Sequence, residues 1–581
     1  MTAKGRTGSR VLALAAAALI AAGLAACSSS GSSNSPAAGV NVASGSPGTA
    51  SGAGASELVM ESSPENSITQ DFNPFVTTAA PEGMGATGLV YEPLYQFNLA
   101  NPSAAPYPWL ATRYQWRDGG RSITFTIRQG VKWNNGTPFT PKDVQFTFDY
   151  VKEHSSGADN INLGALQIEK VSTSGDTVTI TFPSPQYTKF ESIAGQAILP
   201  ESVWSSVSDP ATYTDADPVG TGPYVLGGFT PEGFTMVKNV YYWQQVPVAD
   251  VYFPDYISNT GALTALFSGQ IDWTGNYIPD LQQDFVATNQ ADHHYWEAAG
   301  SSNALIPNLN EWPTNQLPVR QAIDVAIDRN AIGAEGESGL EAPLTNASGL
   351  TQPTFTPWLA PSVTAMTVPA NGSAAQAEAI LEKAGYAKDG NGYFALNGRE
   401  VALTIEDPSS YTDYAQSGAI VAQDLQAAGI NATFDGLTVN AWNANMASGS
   451  FQLALHWGNN GITPYNLYDA WLDDTLIGTG NGDYEHLKDP AIQADLQKLT
   501  SDQATPAEQL ADLAPIEQYV ATQLPVIPTT TAADWFEYNS QRFTGWPTRQ
   551  DPYDSGQPSG NNNGPGTGSD EYVLLHLKPV S

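Results

Sequence analysis

The sequence predicts a mixed α/β protein in which helices and strands interleave along 581 residues. Three observations carry this. Short stretches alternate apolar and polar residues with the two-residue period of a half-buried strand. Longer stretches repeat at three and four residues, like one face of a helix. Gly and Pro punctuate the joins. The length suits two or three domains, and order is expected to begin near Glu57-Leu58-Val59-Met60. Ile123, Phe125 and Ile127 alternate with Thr124 and Thr126, which reads as a strand. A helix follows from Pro141 through Tyr150, with Thr140 as its N-cap and Pro141 at its first position. Val178, Ile180 and Phe182 form a second strand after the Ser174-Gly175-Asp176 turn. Pro318 opens a helix with Val319, Ala322, Ile323, Ala326 and Ile327 on one face, where Arg320 and Asp324 stand four apart and are placed to pair. Ala377, Ile380, Leu381 and Ala384 make another stripe, stopped by Gly385. Tyr414, Val421, Leu425 and Ala428 make a third, stopped by Gly429. Val401 to Ile405 and Phe451 to Leu455 read as strands between them. Asp551 to Ser569, rich in Gly, Asn, Ser and Pro, reads as a surface loop, and Tyr572 to Leu577 as a final strand. No repeat of 20–50 residues is found.

The N-terminus has the layout of an export signal. Lys4, Arg6 and Arg10 form a basic head, Val11 to Gly23 an apolar run, and Leu24-Ala25-Ala26-Cys27 a cut site. As a transmembrane helix the run is short for ~30 Å of hydrocarbon. The Leu-Ala-Ala-Cys box resembles the bacterial lipobox, which implies removal of residues 1–26 and lipidation of Cys27. Residues 27–55 are then a Ser/Gly/Ala-rich tether, too poor in apolar side chains to fold. Cys27 is the only cysteine, so no disulfide within the chain and no cysteine metal site is available. The protein is expected at the outer face of the cell membrane, held there by its lipid anchor alone.

Fifty-eight acids against 23 bases give a formal charge of −35; loss of Lys4, Arg6 and Arg10 with the signal takes it to −38. Such a surface repels phosphate backbones and anionic lipid, so nucleic acid is excluded as a partner. Charged residues are nonetheless only 14% of the chain, and the abundance of Asn, Gln, Ser, Thr, Trp and Tyr suits the handling of neutral polar ligands. His154, His293, His294, His456, His486 and His576 show no metal-ligand spacing. No nucleophile elbow, phosphate loop or dinucleotide fingerprint is present. Acids are numerous enough for a glycosidase pair, but nothing singles one out. No catalytic residue, metal or cofactor is expected, and the protein is read as a non-enzyme.

Seven blocks then carry a resemblance. Trp133-Asn134-Asn135-Gly136-Thr137-Pro138-Phe139-Thr140-Pro141-Lys142-Asp143-Val144 is followed by Gly220-Thr221-Gly222-Pro223-Tyr224, and then by Asn239-Val240-Tyr241-Tyr242-Trp243. Next come Leu266-Phe267-Ser268-Gly269-Gln270-Ile271-Asp272 and Val319-Arg320-Gln321-Ala322 with Ala326-Ile327-Asp328-Arg329. Leu381-Glu382-Lys383-Ala384-Gly385-Tyr386 and Pro525-Val526-Ile527-Pro528 complete the series. In this order, across about residues 56–535, they resemble the family 5 extracellular solute-binding proteins, which serve ABC importers for peptides, nickel and some oligosaccharides. The resemblance implies a two-lobed, periplasmic-binding-protein-like fold of type II, in its large three-subdomain variant, with mixed sheets and a hinged ligand cleft. Lobe I would comprise 56–95, 215–310 and 525–581, the last including the C-terminal tail. The extra subdomain would be 96–214 and lobe II 311–524. The monomeric receptor would take a small-molecule oligomer and hand it to an ABC permease with a cytoplasmic ATPase.

Peptide-binding members of that family carry an aspartate in a W-x-x-D-x-x-x-P segment that takes the peptide ammonium. Here the segment is Trp457-Gly458-Asn459-Asn460-Gly461-Ile462-Thr463-Pro464, with an amide in place of the acid. An amide donates and accepts hydrogen bonds but neutralises no cation. A neutral oligosaccharide therefore fits better, since sugars take flat aromatic faces and converging amides. The expected ligand residues are Trp457, Asn460, Tyr465, Asn466, Trp273, Asn276, Tyr277 and Asn310. The alternative is an oligopeptide, with another carboxylate such as Asp469 or Asp473 standing in. Alternatives of another class are a secreted glycoside hydrolase and a sensor that feeds no importer.

Overall fold

A computed structural model describes residues 57–62, 68–76, 79–154, 167–256, 258–458, 461–503, 505–558 and 570–580. The signal segment, Cys27, the tether and Asn460 lie outside the described residues. Among the described residues no helix is long and apolar enough to cross a membrane.

Three sheets dominate. A seven-stranded mixed sheet has the order His293–Tyr295, Glu537–Asn539, Trp273–Thr274, Glu57–Glu61, Asp250–Pro254, Gly233–Lys238, Tyr224–Thr230. Its central strand Glu57–Glu61 runs parallel to both neighbours. A four-stranded antiparallel sheet contains Ser122–Ile127 and Thr177–Thr181. Ile123, Phe125 and Ile127 point from it into the same core as Leu58, Met60 and Val251, so these two sheets share one apolar interior.

The five-stranded sheet has the order Asn431–Leu437, Ala402–Pro408, Leu453–Trp457, Ala298–Pro307, Ile527–Asp534. The two-residue period divides its side chains between two cores. Leu305, Leu453 and Leu455 face one, shared with the helices Leu317–Ala326, Ala374–Lys383 and Thr412–Ala427. Ala304, Ile306 and Ala454 face the other, against Val439–Ser448, Pro464–Leu472, Pro490–Leu499 and Pro506–Gln523. With helices on both faces, the middle strand Leu453–Trp457 is buried over its first four residues, while Ala298–Pro307 and Ile527–Asp534 also carry polar residues.

Local chemistry explains the element ends. At the helix Pro141–Glu153 the Thr140 hydroxyl accepts from the Lys142 N–H (3.3 Å) and the Asp143 carboxylate from the Thr140 N–H (2.8 Å), a reciprocal cap. Gly385 and Gly429 follow their helices at φ 88° and 76°, left-handed backbone that favours glycine. Two expectations are corrected. Tyr572 to Leu577 is no strand: Asp570–His576 is a helix. Its buried residues are Asp570, Glu571, Val573 and Leu574, followed by the buried Leu577 just past its end, and the two acids lie in its first turn. Arg320 does not pair with Asp324. It donates to the carbonyls of Thr314 (2.9 Å) and Gln523 (2.8 Å), leaving Asp324 to Arg329 (2.6 Å).

Candidate functional site

The chain passes twice between the seven- and five-stranded sheets, and polar groups collect there. The strand His293–Tyr295 of the first leads through Glu297 into Ala298–Pro307 of the second. Ile527–Asp534 of the second leads through Trp535 and Phe536 into Glu537–Asn539 of the first. The half-buried Glu297 accepts the Phe536 N–H (3.3 Å) and faces the buried Glu537, which accepts the Asn276 N–H (3.3 Å). Glu61 ends the central strand and accepts from Thr274 Oγ1 (2.8 Å) and Asn276 Nδ2 (2.6 Å).

Facing this group from the five-stranded side is a second network. Asn303 donates Nδ2 to Glu341 (2.7 Å) and accepts from the Tyr414 hydroxyl (3.1 Å). Glu341 also accepts from Thr530 Oγ1 (3.0 Å) and the Ala533 N–H (2.9 Å). Ser417 donates to Glu337 Oε1 (2.7 Å), and Asp413 stands one turn before Ser417 on the same helix. Tyr277, from the seven-stranded side, closes over this group. Its ring packs edge-on against Trp535 (5.3 Å), and its hydroxyl reaches Gly336 O (3.3 Å) and Ser338 Oγ (2.7 Å).

Burial governs the charge state of these acids, as it does for other buried carboxyl groups of the protein. Removal from water destabilises a carboxylate and raises its pKa. Burial pushes Glu297 and Glu341 up to about 8 and Asp413 up to about 6. Glu337 rises well above the usual range through burial and then the charges of Glu341 and Asp413, and Glu537 through burial and then Glu297. None of the five ion pairs found among the described residues involves these acids. No group of three or more His, Cys, Asp or Glu among the described residues has the arrangement to hold a metal ion.

The residues expected from sequence do not form one group. Asn276 and Tyr277 belong to this network. Trp457 ends its strand opposite Asn303, stays 43% exposed, and packs beside Tyr414 (6.3 Å) and Trp442 (6.0 Å), so it offers an open aromatic face. Tyr465 and Asn466 face residues 187–191 instead. Lys189 pairs with Asp469 (2.9 Å) over the Tyr465 ring, the Tyr465 hydroxyl donates to Asp469 (2.5 Å), and Asn466 donates to Glu191 (3.1 Å). Asp469 is thereby committed to a lysine, and Asp473 caps the Thr475 N–H (2.9 Å). Trp273 is 0% exposed, with its indole N–H on Gly556 O (2.7 Å), and presents no surface to a ligand. Asn310 lies beyond the far end of Ala298–Pro307, hydrogen-bonded to His486 O (3.3 Å), seven residues and roughly 20 Å along the strand from Asn303. Asn460 is outside the described residues. Ser302, Thr351, Gly461 and Thr463 help line a cavity of about 10 Å³, room for one water.

Sequence reasoning missed the acids Glu61, Glu297, Glu337, Glu341, Asp413 and Glu537. Apart from Glu337 and Glu341, four residues apart, they come from separate stretches, and only the fold gathers them.

Comparison with known proteins gives a consistent set of likenesses. The family described as "Bacterial extracellular solute-binding proteins, family 5 Middle" matches residues 105–478. Protein XP55 of Streptomyces lividans is 27% identical over 379 residues, 64% of this chain and 67% of that one. Among solved structures, a mannohexaose-bound periplasmic oligopeptide-binding protein from Thermotoga maritima superposes with a TM-score of 0.79 at 22% identity, covering 90% of this chain and 98% of that one. The oligopeptide-binding protein AppA of Bacillus subtilis, in complex with a nonapeptide, gives 0.72 at 16% identity, covering 90% and 99%. At these identities the likeness shows the fold, which is that of periplasmic binding proteins.

Proposed function

Since this chain belongs to the bacterial extracellular solute-binding proteins of family 5, we propose that it is the lipid-anchored receptor of an ABC importer, capturing a small polar oligomer between its two large sheets and passing it on unchanged. In this reading the seven- and four-stranded sheets form lobe I with its extra subdomain. The five-stranded sheet forms lobe II, and the lobes divide at the crossings near residues 297 and 535. That moves the expected boundaries, because Ala298–Pro307 and Ile527–Asp534 hydrogen-bond into the lobe II sheet. Closure about two such crossings buries a ligand, and the ligand drives it by contacts made only in the closed form.

The observation that carries the ligand reading is the open face of Trp457 beside a shell of amides, hydroxyls and uncharged carboxyl groups. A protonated carboxyl both donates and accepts, as a sugar hydroxyl does. A β-linked oligosaccharide, held as a flat ring on Trp457 with its hydroxyls on Asn276, Asn303 and Tyr414, fits this shell. The relative from Thermotoga maritima was solved with mannohexaose. An oligopeptide is the second reading, favoured by the acids that Asn460 does not supply and by the nonapeptide in AppA.

Calorimetric titration with cello-, xylo- and manno-oligosaccharides and with short peptides tests this. One class should bind without chemical change. Trp457→Ala should weaken that binding by roughly 10–100-fold, the worth of one stacking aromatic in a binding centre. With the side chain half in water, thermal stability should hardly move. Turnover of a bound oligomer, or unchanged affinity in the variant, would contradict the reading.

A further inference from the structure

The five-stranded side of the site holds a group of acids with no base in ion-pair contact among the described residues. Glu337 is 1% exposed; its Oε1 is held by Ser417, and its Oε2 is buried with no hydrogen-bond partner. The charges that face it are Glu341 and Asp413. Asp413 and Ser417 are four residues apart on the helix Thr412–Ala427, so they share its face with Tyr414 between them. Tyr414 in turn ties to Glu341 through Asn303. The three carboxyl groups are therefore brought to one place by two short hydrogen-bonded chains, and Asp413 remains half-buried, giving the group an open side.

Other elements packed around them add Tyr277, Glu297, Asp407 and Tyr414, all acidic or neutral. Buried acids of this kind are ordinarily paired with a base or a metal. Here the acids have neither an arginine or lysine in ion-pair contact nor metal-ligating geometry among the described residues. An oxygen with no partner inside the protein points to a donor that arrives from outside.

We propose that Glu337, Glu341 and Asp413 form the receiving site for a primary ammonium group on the transported oligomer. An ammonium carries three N–H donors and one positive charge, which suits three converging carboxyl groups with one free oxygen. The inference rests on the importer reading and narrows its ligand. The amine belongs to a β-linked amino-sugar oligomer with free amino groups or to the terminus of a peptide, and Trp457 takes the adjoining ring or side chain. Binding ionises Glu337 and Glu341, which burial keeps protonated in the empty protein, so capture expels protons.

The test uses the full chain and matched probes: glucosamine oligomers against their N-acetylated forms, peptides with free against acetylated N-termini, and neutral cello- and manno-oligosaccharides. Titration calorimetry at pH 7 in buffers of different ionisation heat gives affinity and protons released. One amine-bearing probe should bind with proton release, and its acetylated form should bind at least roughly tenfold more weakly, the loss expected for one charge-assisted hydrogen bond. Which amine-bearing probe succeeds identifies the source. Glu337→Gln and Asp413→Asn keep shape and remove charge; each should cost about tenfold or more in affinity for that probe, and Glu337→Gln should also reduce the proton count. Neutral or acetylated probes that bind as tightly as the amine-bearing ones, with no protons released, would overturn the proposal and leave the importer reading standing. Binding by none of the probes would overturn both.

Discussion

Raising the pH from about 5 to about 8 should cost the ligand-free protein at least ~5 kcal/mol of stability, comparable to the whole stability of a modest domain. Burial lifts Glu92, Glu191, Asp215 and Glu517 to about 7, and Glu341 and Asp483 to about 8. All six side chains lie inside the protein. In the unfolded chain these groups titrate near 4, so between about pH 4.5 and 8 the native state holds more protons than the unfolded state. Stability then falls as pH rises. The contribution is complete below the ordinary carboxylate range and is lost on passing through pH 7–8. One such proton is worth about 1.4 kcal/mol for every pH unit over which only the native state holds it. The direction is opposite to that of a protein whose acids are salt-bridged. Urea titrations at pH 5.5, 7 and 8.5 measure it, and a midpoint that rises across that range would refute this account of the buried acids.

Replacing Arg329 should be the most damaging single substitution of a charged side chain. Its guanidinium is 0% exposed and joins three separate stretches. Nε donates to Pro528 O (2.7 Å), Nη1 to Asp324 O (2.9 Å) and Pro369 O (3.0 Å), and Nη2 to the Asp324 carboxylate (2.6 Å). Arg329→Ala removes every donor and leaves a carboxylate and buried carbonyls unsatisfied, a loss of about 3–5 kcal/mol. Arg329→Lys keeps the charge but not the fork, and should fall between. Ligand affinity of the folded fraction should also fall, because Arg329 holds Pro528, two residues before the Thr530 that donates to Glu341. A chemical-denaturation series that finds Arg329→Ala within ~1 kcal/mol of the native protein would show that these bonds are replaceable by water.

The elements that were legible in the sequence are those whose signal is local. Alternation at 123–127 and 178–182, the Thr140 cap and the glycines after the stripes each need only a few neighbouring residues, and each stands in the structure. Tyr572–Leu577 reads as a strand because six residues span less than two helical turns, too few to separate a helical period from an alternating one. Arg320 has an acid four residues on but two carbonyls of distant loops closer at hand, which sequence spacing cannot reveal. Trp273 looked like a loop aromatic beside an acid. Asp272 instead accepts from Arg542 Nε (2.7 Å) and the Val59 N–H (2.8 Å), which draws the following residues into the central sheet and buries the ring. At the site the aromatic and amide members carry a motif or a polar loop with them, whereas the acids become a group only when five stretches of chain meet.

The most direct measurement is a crystal structure of the full chain with the tightest-binding probe from the titration panel. The account predicts an intact oligomer lying between the seven- and five-stranded sheets, with one ring or side chain on the face of Trp457 and an amine within hydrogen-bond distance of Glu337, Glu341 or Asp413. An oligomer seated elsewhere on the protein, or one cleaved within the site, would contradict it.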